Sequence, residues 1–306
     1  RGWSGSRETS FPDDGPLHDD AHDPANDRWR LHRAYAVKPY PAAVDGLLVA
    51  GPDDGVLRLT LDRPERRNAV TDDIVQSLIG TVESAGGDED VRVIHLTATG
   101  DHFCSGFDLA GRGRPDRPPR TGETQRRMRW QVNELVPTLL ETQTPIVASV
   151  QGIAYGLGLN LALAADFSVV ADDARLRSPF VPSGFTPDGG SSWLLPRLAG
   201  VARAKEMLLL GREIGGATAA EWGLVHRAVP AAEVDDVAGA LVAELAASPT
   251  VAVGLAKVLV HRSLTADLTR HLADEAMAIE LSSRSDDFAE FSRSRREKRD
   301  PDYTGR

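Results

Sequence analysis

The order of hydrophobic and polar positions predicts alternating strands and helices over most of the chain. Residues 57–61 alternate between apolar and polar side chains, which is typical of a strand buried on one face. After a turn at residues 63–64, Thr71 is a candidate N-cap for a helix that ends at Gly86. The apolar stripe of this helix consists of Ile74, Leu78, Val82 and Ala85. Strands are also predicted at residues 91–97, 146–150 and 167–170, and helices at residues 126–142 and 157–165. This alternation predicts an α/β fold with a helix-covered sheet.

The two ends of the chain depart from this pattern. Residues 1–43 are rich in Asp, Pro, Gly, Ser and Arg without a sustained apolar period, and are predicted to form a polar N-terminal extension. Its candidate anchors are Trp29, Leu31 and Tyr35. Residues 44–248 form the predicted core, and residues 249–306 a helical C-terminal module without strand candidates. Its predicted helices cover residues 250–263, 266–281 and 286–298.

Composition and net charge limit which binding partners and which cellular compartment we expect for this protein. A net charge of -10 argues against nucleic acid or an anionic membrane as the main partner, because both attract clustered Lys and Arg. The single cysteine, Cys104, excludes an intrachain disulfide and a multi-cysteine metal site, which is typical of a reducing cytoplasm. No apolar run reaches about 18 residues. We expect a cytoplasmic protein without a membrane partner, and the histidine spacing predicts no metal site.

Two glycine-containing segments could each present backbone N–H groups to an anion. Residues 102–109 follow a strand, so the amides near Ser105 could face a negatively charged oxygen, although an ordinary strand-to-helix turn has the same pattern. Residues 151–160 lead from a strand into an apolar helix, whose first amides lack intrahelical acceptors. This second segment lacks the third glycine and the later acidic residue of a dinucleotide-binding fingerprint, which argues against a nicotinamide site.

A third segment carries a candidate base. Asp188 precedes two glycines and lies in residues 184–198, between an aromatic-containing loop and an apolar stretch. An Asp in this context is commonly a turn residue. Opposite two N–H donors in an apolar pocket, the same carboxylate becomes a candidate proton acceptor.

Taken together, these segments resemble the crotonase (enoyl-CoA hydratase/isomerase) superfamily over residues 45–300. The matching segments are residues 63–69, 103–109, 145–166, 188–200 and 215–225. The resemblance implies a crotonase (ClpP-like) spiral of ββα units and a C-terminal module that forms a homotrimer or a dimer of trimers. It also implies an acyl-CoA thioester substrate. The CoA is part of this substrate, so no separate cofactor is expected. The resemblance places the two oxyanion N–H donors at Ser105 and Leu157. The substrate-binding residues that it implies are Arg67, Ala69, Gly106, Phe107, Asp108, Leu109, Gly156, Asn160 and Phe180.

The sequence departs from the hydratases of this superfamily. Asn160 and Phe180 occupy the positions of the two glutamates that activate water, and neither side chain can exchange a proton near neutral pH. Asp188 instead matches the catalytic Asp of the 1,2-epoxyphenylacetyl-CoA and Δ3,Δ2-enoyl-CoA isomerase subset. The resemblance therefore implies double-bond isomerisation with Asp188 as the proton shuttle. We expect Phe185 and Trp193, together with Phe180, to surround this carboxyl group.

Other functions stay open at this point. Asp188 also matches the nucleophile of 4-chlorobenzoyl-CoA dehalogenase, and carbon-carbon bond chemistry as in dihydroxynaphthoyl-CoA synthase uses a related Asp. A member without both glutamates can also be a non-catalytic CoA-ester or RNA binding protein, although the acidic composition argues against RNA. The acyl group is expected to contact residues 112–129.

Several further residues have predicted roles outside the reaction. Cys104 is interpreted as a packed thiol and Asp166 as a structural residue at the end of the apolar helix. The candidate cations for the CoA phosphates are Arg66, Arg67, Lys257 and residues 293–299. For most of residues 293–299, the helical charge pattern favours a solvated face instead.

Overall fold

The fold is described by a computed structural model that covers residues 39–110, 120–129 and 131–306. The strands are β1 Leu47–Asp53, β2 Val56–Leu61, β3 Val93–Ala98, β4 Ile146–Val150, β5 Ile153–Tyr155, β6 Phe167–Ala171, β7 Arg175–Arg177, β8 Glu213–Gly215 and β9 Arg227–Val229. Within the described residues they form a six-stranded sheet, in the order β1-β2-β3-β4-β6-β9, and a three-stranded sheet, in the order β5-β7-β8. The pairs from β2 to β9 in the larger sheet are parallel, and β1 is an antiparallel edge strand.

Helices follow pairs of strands along the chain. They are α1 Asp72–Ala85, α2 Glu123–Arg129, α3 Val132–Glu141, α4 Leu157–Ala164, α5 Ser191–Leu209, α6 Gly216–Glu221, α7 Val234–Ala246, α8 Thr250–Ser263, α9 Leu268–Ser282 and α10 Asp286–Glu297. The order β1-β2-α1, β4-β5-α4 and β6-β7-α5 repeats one ββα unit. This confirms the predicted α/β architecture of ββα units followed by C-terminal helices.

The predicted hydrophobic pattern accounts for the core. On β2, Leu57, Leu59 and Leu61 are buried on the face that the alternation indicates. The hydroxyl of Thr71 accepts a hydrogen bond from the amide of Ile74, which confirms the predicted N-cap of α1. All four residues of the α1 apolar stripe are buried. Strand β4 and helix α4 are buried along their whole length, so α4 begins inside the core.

Three features differ from the predicted elements. Helices α5, α6 and α7 were not predicted. The single helix expected at residues 126–142 is two helices, α2 and α3, because Gln131 has the non-helical backbone angles φ -130° and ψ -102°. The edge strand β1 was not predicted, and neither were the three-residue strands β5, β7, β8 and β9. Segments of three residues are too short for an alternating pattern to emerge.

The C-terminal helices expose several large apolar side chains. The exposed apolar residues of α9 and α10 include Leu268, Leu272, Met277, Ile279, Phe288 and Phe291. Such a surface is typical of an interface, but the role of the module in trimerisation stays a prediction. The candidate anchors in the N-terminal extension lie outside the described residues.

One helix pair has the apolar length of a membrane span. In the described part of the chain, no single helix is long and apolar enough to cross a membrane. The segments Ala231–Ala246 and Thr250–Ser263 reach that length and composition together, with a bend of 111° between them.

A buried histidine on β3 predicts acid sensitivity. His95 is 6% exposed, and its Nε2 lies 2.9 Å from the hydroxyl oxygen of Ser149. Burial first, and then the nearby cation Arg58, lower the pKa of His95 from 6.5 to about 4, against an opposing effect of Asp235. The unfolded chain therefore binds more protons than the folded protein between pH 6.5 and pH 4. Folding stability falls as the pH drops through this window.

We expect the lowered pKa of His95 to reduce the free energy of unfolding by about 2 to 3 kcal/mol between pH 7 and pH 4.5, since one pKa unit corresponds to about 1.4 kcal/mol. Urea unfolding of the wild type and of His95→Gln at both pH values measures the difference, because glutamine does not titrate and the carboxylates are common to both proteins. The same loss of stability in the two proteins would contradict the prediction.

Candidate active site

A cavity of about 480 Å³ lies between α4, α2 and the loop that carries Asp188. Its volume is in the range of pockets that hold small molecules. It is lined by Ser105, Gly106, Phe107, Leu109, Thr124, Arg127, Met128, Gln131, Val132, Gly156, Leu157, Pro179, Phe180, Ser183, Phe185, Thr186 and Asp188. Eight of the twelve predicted site residues thus border one space. A larger cavity of about 910 Å³, near His95, contains none of the twelve.

The start of α4 supplies a hydrogen-bond donor to the cavity. Leu157 is the first residue of this buried helix, and Gly156 is its N-cap. The amide of a first helical residue has no intrahelical acceptor, and among the described residues none accepts a hydrogen bond from Leu157. The adjoining helix dipole adds a positive potential at the same point. This end of α4 is therefore suited to bind a negatively charged oxygen.

The prediction that Ser105 supplies the second donor is wrong. Its amide donates a hydrogen bond to the carbonyl oxygen of Arg67 at 2.9 Å, and its hydroxyl group donates to the carbonyl oxygen of Arg66 at 3.3 Å. The next amide, of Gly106, is directed at the sulfur of Cys104 at 3.4 Å. An amide that already donates within the protein cannot serve as an oxyanion donor without losing its partner.

Phe107 is oriented differently from its neighbours in this turn. It forms a parallel bridge with Val70, in which the carbonyl of Gly106 accepts from the Val70 amide at 2.9 Å and the amide of Asp108 donates to the Val70 carbonyl at 2.8 Å. In such a bridge the central residue's own N–H group points away from the paired residue. The Phe107 amide is therefore directed away from Val70, and Phe107 lines the same cavity as Leu157.

Asp188 reaches the cavity from a turn that packs on α4. The residue is half-buried, and it precedes Gly189 and Gly190, which have φ angles of 54° and 94°. These positive angles favour glycine and allow the turn to reverse sharply before α5. A Cβ atom at Gly189 would lie 3.0 Å from the Leu157 side chain. The turn therefore holds the carboxylate-bearing residue directly beside the start of α4.

Two of the three expected aromatic neighbours share this cavity with Asp188. Phe180 is half-buried and Phe185 is 57% exposed, and both line the cavity. Trp193 does not line it, because its ring packs against the core and lies under the guanidinium of Arg197 at 4.1 Å. The surroundings of the carboxyl group are therefore less apolar than the sequence predicts.

Asn160 and Asp108 do not contact the cavity, which corrects their predicted role as substrate-binding residues. Asn160 is fully buried, and its side-chain amide bonds to the turn at residues 188–191. Asp108 is 8% exposed and forms an ion pair with Arg63 at 3.1 Å. Both polar groups already have partners inside the protein, so neither is available to a ligand.

The remaining predicted binding residues lie outside the cavity. The carbonyl of Ala69 accepts a hydrogen bond from the guanidinium of Arg63 at 2.6 Å, and Arg67 is exposed with its backbone in the left-handed region. Exposed Arg66 adjoins it. Contact of these residues with CoA stays a prediction.

Lys257 cannot bind a CoA phosphate, which corrects the corresponding prediction. It is 8% exposed, and its ammonium group donates to the carbonyls of Leu139 and Thr144 and lies 2.8 Å from the Asp166 carboxylate. Burial lowers its pKa, and Asp166 partly offsets that effect. Asp166 also accepts from the Ile146 amide at 2.8 Å, in agreement with a structural role. This ion pair joins α8 to the segment that directly follows α4.

Cys104 is a packed thiol, as predicted. It is fully buried, and burial raises its pKa to about 12. The thiolate that nucleophilic chemistry requires is therefore absent near neutral pH.

The cavity lining includes residues from the segment predicted to contact the acyl group and others that were not assigned to the site. Thr124, Arg127 and Met128 belong to the segment expected to contact the acyl group, whereas Gln131 and Val132 were placed inside one continuous helix. Ser183 and Thr186 enter from a loop with no distinguishing pattern. In the described residues, no group of three or more His, Cys, Asp or Glu side chains is placed to hold a metal ion.

Comparison with known proteins identifies the family of this chain. Residues 51–306 match the enoyl-CoA hydratase/isomerase family. The chain is 36% identical to the 1,2-epoxyphenylacetyl-CoA isomerase of Escherichia coli K12 over 256 residues, which cover 83% of this chain and 97% of that protein. It is 33% identical to the human mitochondrial enoyl-CoA hydratase domain-containing protein 2 over 263 residues, which cover 84% and 88%.

A solved structure has the same fold. The crystal structure of an enoyl-CoA hydratase from Bacillus anthracis superposes with a TM-score of 0.78 at 30% identity, covering 86% of this chain and all of that one. The protein belongs to the enoyl-CoA hydratase/isomerase family and has the crotonase fold. An acyl-CoA thioester substrate is consistent with this membership.

Proposed function

We propose that the protein isomerises the double bond of an enoyl-CoA thioester. The observation that supports this proposal most directly is that Asp188 is the single carboxylate among the described residues of the cavity, beside the donor end of α4. A proton shuttle between two carbon atoms needs one such group, because the group that removes the proton also returns it.

In the proposed mechanism, Asp188 removes a proton from carbon 2 of a 3-enoyl thioester. The electron pair of the broken C–H bond moves into the thioester, and its oxygen becomes the negatively charged oxygen of a dienolate. The amides of Leu157 and Phe107 donate hydrogen bonds to this oxygen. The proton on Asp188 can exchange with solvent, and protonated Asp188 then donates a proton to carbon 4, which leaves the double bond between carbons 2 and 3. The atoms balance without a co-reactant.

The oxyanion donors lower the barrier because the charge on the oxygen grows as the dienolate forms. A fixed donor in a water-poor site stabilises such charge strongly, and removal of one donor typically costs about 10² to 10³ in rate. The burial of α4 supports this part of the proposal, since a buried helix cannot reorient during the reaction.

Hydration fits the same cavity less well. Addition of water needs groups that activate and position a water molecule, and the two positions that hold glutamates in the hydratases are Asn160 and Phe180. Asn160 is buried with its amide bonded to the protein, and Phe180 presents an aromatic ring. We propose that the CoA of the substrate is held in part by Arg66 and Arg67, and that no separate cofactor takes part.

Deuterium incorporation tests this proposal. The protein is incubated in D2O with 2-enoyl-, 3-enoyl- and arylacetyl-CoA thioesters, and mass spectrometry and NMR locate the label and detect any hydrated product. We expect label at carbons 2 and 4 of the 3-enoyl thioester and its conversion to the 2-enoyl isomer. Formation of 3-hydroxyacyl-CoA without label at carbon 4, or neither isomerisation nor exchange in a 3-enoyl thioester that binds, would overturn the proposal.

A further inference from the structure

The turn that carries Asp188 is held on α4 by one buried side-chain amide. The Nδ2 group of Asn160 donates to the carbonyl oxygens of Asp188 at 3.1 Å and Gly189 at 2.8 Å. Its Oδ1 atom accepts from the hydroxyl group of Ser191 at 2.8 Å, and this hydroxyl oxygen also lies 3.1 Å from the Asp188 carbonyl. Asn160 and Ser191 are both fully buried. All hydrogen-bonding atoms of the amide therefore face this turn.

Asparagine fits this place because of its combination of donors and acceptor. The two carbonyl oxygens of the turn need N–H donors, and the Ser191 hydroxyl group needs an acceptor. A carboxylate would set negative charge against both carbonyls. An aliphatic side chain would remove the donor of the Gly189 carbonyl, at a cost of about 1 to 3 kcal/mol, and would leave the Asp188 carbonyl with the amide and the hydroxyl group of Ser191.

Asn160 also lies on the helix that supplies the oxyanion donor. It follows Leu157 by three residues, which places the two one turn apart on α4. One rigid helix thus sets the position of the Leu157 amide and, through Asn160, of the Asp188 backbone. The distance between the donor and the base is fixed by a single element.

We infer that Asn160 is a positioning residue that aligns Asp188 with carbons 2 and 4 of the substrate bound at Leu157. This inference rests on the proposed isomerisation and assigns Asn160 no contact with the substrate. A carboxylate that serves two carbon atoms in turn needs a defined position, and a shift of about 1 Å can cost about 10²-fold in rate.

The test compares Asn160→Leu with the wild type in the isomerisation and deuterium assays. Leucine has a similar size and no donors. We expect kcat to fall by about 10- to 100-fold with KM changed by less than about twofold, because Asn160 does not line the cavity. We also expect the ratio of label at carbon 4 to label at carbon 2 to fall, because a displaced carboxylate no longer reaches both carbons equally. A merely structural role would lower the amount of folded protein without changing that ratio.

Thr81→Val is the matched control. Thr81 is fully buried on α1, and its hydroxyl oxygen has no hydrogen-bond partner in the described structure. This exchange of a buried polar group for an apolar one should leave kcat and the labelling ratio unchanged. If Asn160→Leu does not fold, Ser191→Ala removes the hydroxyl contact with Asn160, and we expect it to lower kcat by about 3- to 10-fold with the same direction of change in the ratio.

The outcomes separate the two claims. An active wild type and a variant with the wild-type kcat and labelling ratio would overturn the inference and leave the isomerisation intact. A wild type that neither isomerises a bound 3-enoyl thioester nor incorporates label would overturn the proposed function, and the inference with it.

Discussion

Asp188→Asn is expected to lower kcat for isomerisation by about 10² to 10⁴ with little change in KM. The amide has nearly the shape of the carboxyl group but cannot accept the proton from carbon 2, and general base catalysis typically contributes a factor of this size. Asp188 is one of the 17 residues that line the cavity, so most contacts with the acyl group remain in the variant. Steady-state kinetics with a 3-enoyl-CoA substrate, together with deuterium incorporation, measure the effect.

Asp173→Asn is the control for this variant, because Asp173 is an exposed residue between β6 and β7 and lies outside the cavity. It should keep the wild-type kcat. Retention of more than about a tenth of the wild-type rate by Asp188→Asn would show that another group removes the proton.

Gly158→Ala is expected to lower kcat by about 10²-fold. Gly158 is the second residue of α4 and packs against Cys104, so an added Cβ would lie 2.7 Å from the Cys104 Cβ, 2.8 Å from its Sγ and still closer to its carbonyl oxygen. The start of α4 must then move away from the turn that contains Phe107. The two oxyanion donors separate, and loss of one donor costs about 10² to 10³ in rate.

Gly239→Ala provides the comparison, since a Cβ at that position on α7 meets no atom within 4 Å. We expect Gly158→Ala to lose about 1 to 3 kcal/mol of folding stability through overpacking, whereas Gly239→Ala keeps both stability and activity. Thermal unfolding and kcat, measured on both variants, test this. A Gly158→Ala protein with the full wild-type kcat would contradict the proposed donor pair.

Local patterns predicted the longer parallel strands of the larger sheet and most of the helices outside residues 191–246. The N-cap at Thr71, the buried alternation on β2 and the three C-terminal helices all depend on residues close together in the sequence, and the structure agrees with each. The break between α2 and α3 was not predictable in this way, because the sequence there keeps a helical apolar spacing while Gln131 leaves the helical conformation.

The predictions for the site failed where the hydrogen-bond or ion-pair partners of a residue lie far from it in the sequence. Ser105 resembled an oxyanion donor in the sequence, but its amide is used by Arg67, a residue 38 positions earlier. Asn160 was assigned to the substrate although its partners lie about 30 positions later, and Lys257 was taken as a free cation although three buried oxygens surround it. Sequence spacing alone cannot show which polar groups find partners inside the protein.

The two sides of the active-site cavity differ in burial, and therefore in how strongly a substitution there would disturb the fold. The α4 side is buried throughout, whereas the described part of α2 has no buried residue and still contributes Thr124, Arg127 and Met128 to the lining. Substitutions on α2 therefore remove few packing contacts and leave the proposed oxyanion donors in place. In evolution or in the laboratory, the range of accepted acyl chains can diverge through this helix while the chemistry is inherited unchanged.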